Sequence, residues 1–179
     1  MPAFVALLRG VNVGGGNRVP MAALRTLLED LGYTKVATLL NSGNAVFTAP
    51  SGSTAAHATR IAGALDATLG VRVPVIVKSA KELAAIVEGN PLPLGAVSPS
   101  KFLVVFTQRV QELGALRDLV EPVIAPPEGF ALGAHAGYLA CPNGISQSQG
   151  ALALLGKGGR SATTRNLATT LKLLALAQR

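Results

Sequence analysis

A length of 179 residues fits one domain or two small lobes, and 49% apolar against 14% charged residues excludes a disordered chain. No apolar run approaches the roughly 18 residues of a membrane span, the stretch 1–8 lacks the basic lead of a signal peptide, and a lone Cys141 excludes an internal disulfide or a cysteine metal cage. The net charge of +7, with five positive and no negative side chains in residues 151–179, fits anionic partners and a plain solvated basic end equally well.

Residues 4–8 read as a buried strand, residues 9–18 as a glycine-rich loop, and Pro20 as the first position of a helix in which Met21, Leu24, Leu28 and Leu31 recur at helical spacing before Gly32. Two strand-like runs, 36–40 and 45–48, flank Asn41-Ser42-Gly43-Asn44, whose residues tolerate the positive φ of a tight hairpin. A second helix covers 53–69 and ends at Gly70. Residues 71–77 alternate as a strand that Pro74, lacking an N–H, assigns to a sheet edge.

The order βαββαβ makes residues 1–78 a first ferredoxin-like lobe. Residues 79–100 hold a helix opened by the capping box Ser79 and Glu82, then a proline-rich connector. In 101–179 the pattern gives a strand (101–107), a helix (108–120), a hairpin of 130–134 with 138–141, and helices starting at Ile145 and Thr163. The predicted class is α+β: two ferredoxin-like lobes in tandem, the second imperfect with an added C-terminal helix.

The loop carries the chemistry. Four glycines between a strand and a helix start let backbone N–H groups approach an anion at the helix's positive end, with Arg9 and Arg18 flanking. Neither a Walker motif nor G-x-G-x-x-G is present, and a tight turn that simply needs glycine accounts for the same residues. Ligand candidates are Arg9, Asn12, Gly14, Gly15, Gly16 and Arg18 from the loop, Ser42 and Asn44 from the hairpin, and Thr164, Arg165 and Asn166 near the C-terminus. Thr163 or Thr164 reads as an N-cap before it reads as a ligand, and Asn41 and Asn44 as turn formers first. In a ferredoxin-like lobe the loop and hairpin are expected at opposite ends, so a shared pocket requires the second lobe.

Acid–base groups are missing from these motifs. Glu29, Asp30, Asp66, Glu82, Glu88, Glu112, Asp118 and Glu121 fall on predicted helices, and His57 and His135 read as surface residues with no ligand-like cluster, so no metal is expected and no catalytic residue is assigned.

Arg9-Gly10-Val11-Asn12-Val13-Gly14-Gly15, Val19-Pro20-Met21, Asn41-Ser42-Gly43-Asn44 and Thr164-Arg165-Asn166, in this order, resemble the family catalogued as domain of unknown function 1697. The resemblance implies two tandem ferredoxin-like lobes, and neither a cofactor nor a reaction. This chain departs from it at Gln149, where such sequences tend to carry lysine after the serine, and at Leu167, where an aromatic often follows Arg-Asn.

The resulting expectation is a soluble cytoplasmic module that binds a phosphate-bearing small molecule. Weak RNA or single-strand binding is a lesser alternative, because Phe4, Phe47, Phe102 and Phe106 are expected in the core rather than on a stacking surface. An enzyme of unassigned reaction remains a third. Cofactor and oligomeric state stay unassigned.

Overall fold

The apolar hexapeptide Ala3–Leu8 forms β1, buried along nearly its whole length because it is central in its sheet. In the computed structural model, which describes residues 1–179, it is followed by α1 (Met21–Asp30), β2 (Thr34–Thr38), β3 (Asn44–Thr48), α2 (Thr54–Leu69) and β4 (Val75–Ser79). The sheet order is β2-β3-β1-β4, with every neighbouring pair antiparallel. Phe4, Ala6 and Leu8 alternate onto the face covered by Leu24 and Leu28 of α1 and Ile61 and Leu65 of α2. Each of the larger of these side chains, the leucines, Ile61 and Phe4, contributes roughly 1.5–3 kcal/mol by its burial. Ser53 caps α2 by accepting from the Ala56 N–H (3.1 Å), and Gly70 ends it at φ 65°.

Several expectations change in this unit: Pro20 precedes α1 as its N-cap (φ −58°, ψ 137°) rather than being its first position, and β2 spans Thr34–Thr38 rather than 36–40. The fourth strand begins at Val75 rather than at residue 71, because the ladder cannot run through a residue with no N–H; Pro74 instead accepts the Arg9 N–H through its carbonyl (3.0 Å). β4 pairs with β1 alone and is an edge strand. His57 is buried rather than on the surface. It packs against Phe4, Tyr33 and Phe47, and its Nδ1 lies 2.8 Å from the Tyr33 hydroxyl.

The remaining elements are α3 (Ala80–Glu88), β5 (Phe102–Thr107), α4 (Leu113–Val120), β6 (Gly129–Leu132), β7 (Gly137–Ala140), α5 (Gln149–Leu155), β8 (Ala162–Asn166) and α6 (Leu167–Ala177). The capping box at α3 is reciprocal: the Ser79 N–H donates to Glu82 Oε2 (2.8 Å) and the Glu82 N–H to Ser79 Oγ (3.1 Å). The second sheet has the order β6-β7-β5-β8 and is also antiparallel. Leu103 and Val105 of β5 meet Leu113, Leu116 and Val120 of α4 and Ala151 and Leu154 of α5.

Residues 163–166 are therefore strand and not helix start. Thr163 pairs with Phe106 and Arg165 with Val104, and the β-branched threonines suit this edge strand. The N-cap role falls to Asn166, whose Oδ1 accepts the Thr169 N–H (2.8 Å).

The chain is α+β, with two four-stranded antiparallel sheets and six α-helices. By contact it divides into Met1–Leu83 with Leu173–Arg179, and Ala84–Lys172. The end of α3 thus belongs with the second sheet, to which the buried Tyr138 ties it by donating from Oη to the Ile86 carbonyl (2.5 Å). No helix is long and apolar enough to cross a membrane.

Candidate functional site

The register Leu7↔Asn44 places the C-terminal end of β1 beside the N-terminal end of β3. Antiparallel pairing therefore sets the hairpin between β2 and β3 against the loop between β1 and α1, within one sheet. The expectation that they lie apart and need the second lobe is overturned. Their contact is close: the Leu8 N–H donates to the Gly43 carbonyl (2.9 Å), and a Cβ built on Gly43 would lie 2.7 Å from both Leu8 Cβ and Val11 Cγ2. With φ at 85°, position 43 admits glycine for both backbone and packing reasons.

Asn12 is the clasp. Its Nδ2 donates to the Val19 carbonyl (2.8 Å) and the Asn41 carbonyl (2.7 Å), while its Oδ1 accepts the Val19 N–H (2.9 Å). Both amide hydrogens are spent, so Asn12 positions the loop, the hairpin and the approach to α1 rather than offering a donor to a ligand. Beyond it the chain turns back on itself: the Asn12 N–H donates to the Asn17 carbonyl (3.2 Å) and the Gly16 N–H to the Val13 carbonyl (3.4 Å). Gly14 and Gly15, both at positive φ, form the exposed tip, as a type I′ turn requires. Two of the amides that the glycine pattern offers to an anion, those of Asn12 and Gly16, are thus engaged inside the turn.

A cleft of about 310 Å³ opens here, lined by Asn12, Gly15, Arg18, Val19, Pro20 and Asn41. Arg18 is exposed and is the single charged residue of the lining. Pro20 is the N-cap of α1 and gives it no side-chain cap, and the first turn holds no acid. The helix N-terminus therefore keeps its unpaired N–H groups and its partial positive charge next to the cleft, whose lining reaches Pro20. The lining holds no His, Asp, Glu or Cys, so it has the means to bind an anion and no group of its own to move a proton at neutral pH.

The other candidates are placed elsewhere. Arg9 is half-buried and outside the lining, continuing β1 toward β4. Asn44 is fully buried and closes the hairpin, donating from Nδ2 to the Leu39 carbonyl (3.0 Å) and to Ser42 Oγ (2.8 Å). Ser42 is exposed and lies outside the lining. Thr164, Arg165 and Asn166 sit on β8 in the other unit. Arg165 is buried there and donates from Nη1 to Thr163 Oγ1 and the Thr164 carbonyl (2.8 Å each); burial lowers its pKa to about 10.

Residues that the motif reading left out of the site include Asn41, Val19 and Pro20, all in the lining. Their signal was present in the sequence, since they stand in the same segments as Asn12, Arg18 and Ser42; what was missing was the long-range register that brings the segments together.

This arrangement falls within a family. The model described as "Protein of unknown function (DUF1697)" matches residues 1–138, and the chain belongs to that family. The solved structure of conserved bacterial protein SP0830 from Streptococcus pneumoniae is similar over 98% of each chain, with a TM-score of 0.76 at 24% identity, and so shares the fold. No curated protein matches the chain.

Proposed function

We propose that the chain is a binding module for a phosphate-bearing small molecule, held in the cleft between the glycine loop and the β2–β3 hairpin. The observation that carries this reading is the meeting of Arg18 with the side-chain-uncapped, acid-free start of α1 in one cleft. A helix N-terminus and a guanidinium are complementary to a phosphate by charge and by donor geometry. The volume lies at the small end of ligand pockets, suiting a phosphate with a modest organic part.

Nucleic acid is less well supported. Phe4, Tyr33, Phe47, Phe102, Phe106 and Tyr138 are all buried, which leaves little aromatic surface for stacking bases. We also infer that each unit is a ferredoxin-like lobe, because each central pair of strands is flanked in the same order, β2-β3-β1-β4 and β6-β7-β5-β8, with a helix after the first and third strands.

Thermal-shift titration with phosphate, sulfate and a nucleotide panel at fixed ionic strength tests the binding proposal. A ligand confined to the native state raises the melting temperature by mass action. One charged hydrogen bond is worth about 1.5–3 kcal/mol, so Arg18→Ala should weaken binding roughly tenfold or more. If no anion stabilises the wild type, the cleft is architecture.

A further inference from the structure

A second cleft, of about 190 Å³, lies wholly within the second unit, where Pro127 and Glu128 approach Asn143, Gln147, Ser148 and Gln149. Its formal side-chain charge is opposite in sign to that of the first, although the start of α5, capped by Ser148, also lies in its wall. Glu128 is the only formally charged residue in the lining, and between residues 122 and 156 the chain has no other acid and no lysine or arginine. In a protein of net charge +7 this half-buried carboxylate is in no ion pair.

Glu128 is also held in place. Ser148, itself 4% exposed, accepts the Ala151 N–H at the start of α5 (3.0 Å) and donates its own hydroxyl hydrogen to Glu128 Oε1. A carboxylate fixed in this way loses little side-chain freedom when a partner arrives. Asn143, Gln147 and Gln149 line the same cleft, and each amide side chain has a carbonyl able to accept from an N–H donor.

We propose that this cleft is a binding site for a small organic ammonium ion, with Glu128 as its counter-charge and the three amide side chains as further acceptors. The donor set favours an ammonium over a metal ion, because the wall provides one carboxylate and no imidazole, and no group of three metal-ligating side chains exists in the structure. Cys141, also in the wall, adds no charge: burial pushes its thiol up, away from the thiolate that a metal would need. At about 190 Å³ the cleft is below the usual range of small-molecule pockets, which favours a small amine.

The test is a ¹H–¹⁵N titration of the full chain with butylammonium chloride, with sodium chloride, magnesium chloride and butanol as parallel arms. Saturable shifts at Gly129, Asn143, Gly144 and Gln149 with butylammonium alone, weakened at least about tenfold in Glu128→Gln, are expected. Gln149→Lys sets an ammonium on the wall itself and should abolish butylammonium binding while the protein stays folded, which keeps the test decisive if Glu128→Gln unfolds. Shifts that sodium chloride reproduces, saturation by magnesium at lower concentration than by the amine, equal response to butanol, or undiminished binding in Gln149→Lys would each overturn the proposal.

Discussion

Replacing Gly43 by alanine should damage the protein more than any other single glycine-to-alanine change in the two segments that build the first cleft. The position has φ 85°, and a non-glycine residue in that region costs about 1–2 kcal/mol. The added Cβ would also meet Leu8 Cβ and Val11 Cγ2 at 2.7 Å, both belonging to buried residues; forcing a methyl into packed surroundings costs about 1–3 kcal/mol. Together these give a loss of about 2–5 kcal/mol, a large part of the roughly 5–15 kcal/mol typical of a domain. In a chain of this size that lowers the melting temperature by about 4 to 20 °C. Gly14→Ala is the control, because Gly14 has φ 60° and nothing within 4 Å of its built Cβ, so it bears the backbone cost alone. Urea unfolding followed by circular dichroism gives both values. If Gly43→Ala falls within about 0.5 kcal/mol of Gly14→Ala, the close packing of hairpin on loop is not what holds the site.

Asn12→Ala removes three hydrogen bonds and leaves the Val19 N–H and the Val19 and Asn41 carbonyls to find water; a loss of about 1–3 kcal/mol, with weakened anion response in the thermal-shift assay, is expected. Burial, reinforced by the nearby Arg60 charge, lowers the pKa of His57 below its usual 6.5. The unfolded chain then takes up the proton first, so stability is full above about pH 6.5 and declines as the pH falls below it; His57→Phe should flatten that part of a pH-dependent melting curve. Tyr138 behaves in the opposite sense, with burial pushing its pKa up to about 12, so its contribution is full below pH 10 and is lost as the pH rises through 10 to 12. Tyr138→Phe should reduce that alkaline slope, read by circular dichroism, leaving the part due to Tyr33, whose pKa burial also raises, while losing the bond to the Ile86 carbonyl.

What could be read from the residues alone is local in origin. The apolar runs at Phe4–Leu8 and Phe102–Phe106, the Leu24/Leu28 and Ile61/Leu65 stripes and the Ser79–Glu82 capping box all express themselves within a few residues, and each forms the element its pattern predicts. The failures arise from long-range pairing. Thr163-Thr164-Arg165 is polar and reads as a helix start, yet the ladder with β5 makes it a strand and buries an arginine that composition assigns to the surface. His57 stands next to Ala58 at the margin of its helix's apolar stripe, and only the arrival of Phe4 and Tyr33 from other elements decides that it is inside. Glu128 lies on no helix and in no motif; its signal is the emptiness of charge around it, which becomes meaningful once residues 143–149 line the same cleft and Ser148 bonds to it.

The central claim, that the cleft beside Arg18 binds a phosphate group, is tested most directly by following backbone amides while inorganic phosphate and adenosine monophosphate are added at fixed ionic strength. The account predicts saturable shifts at Gly15, Arg18, Met21 and Ala22, lost in Arg18→Ala while the fold is retained. Shifts no larger than those produced by chloride, or shifts confined to the basic residues of 151–179, would contradict it.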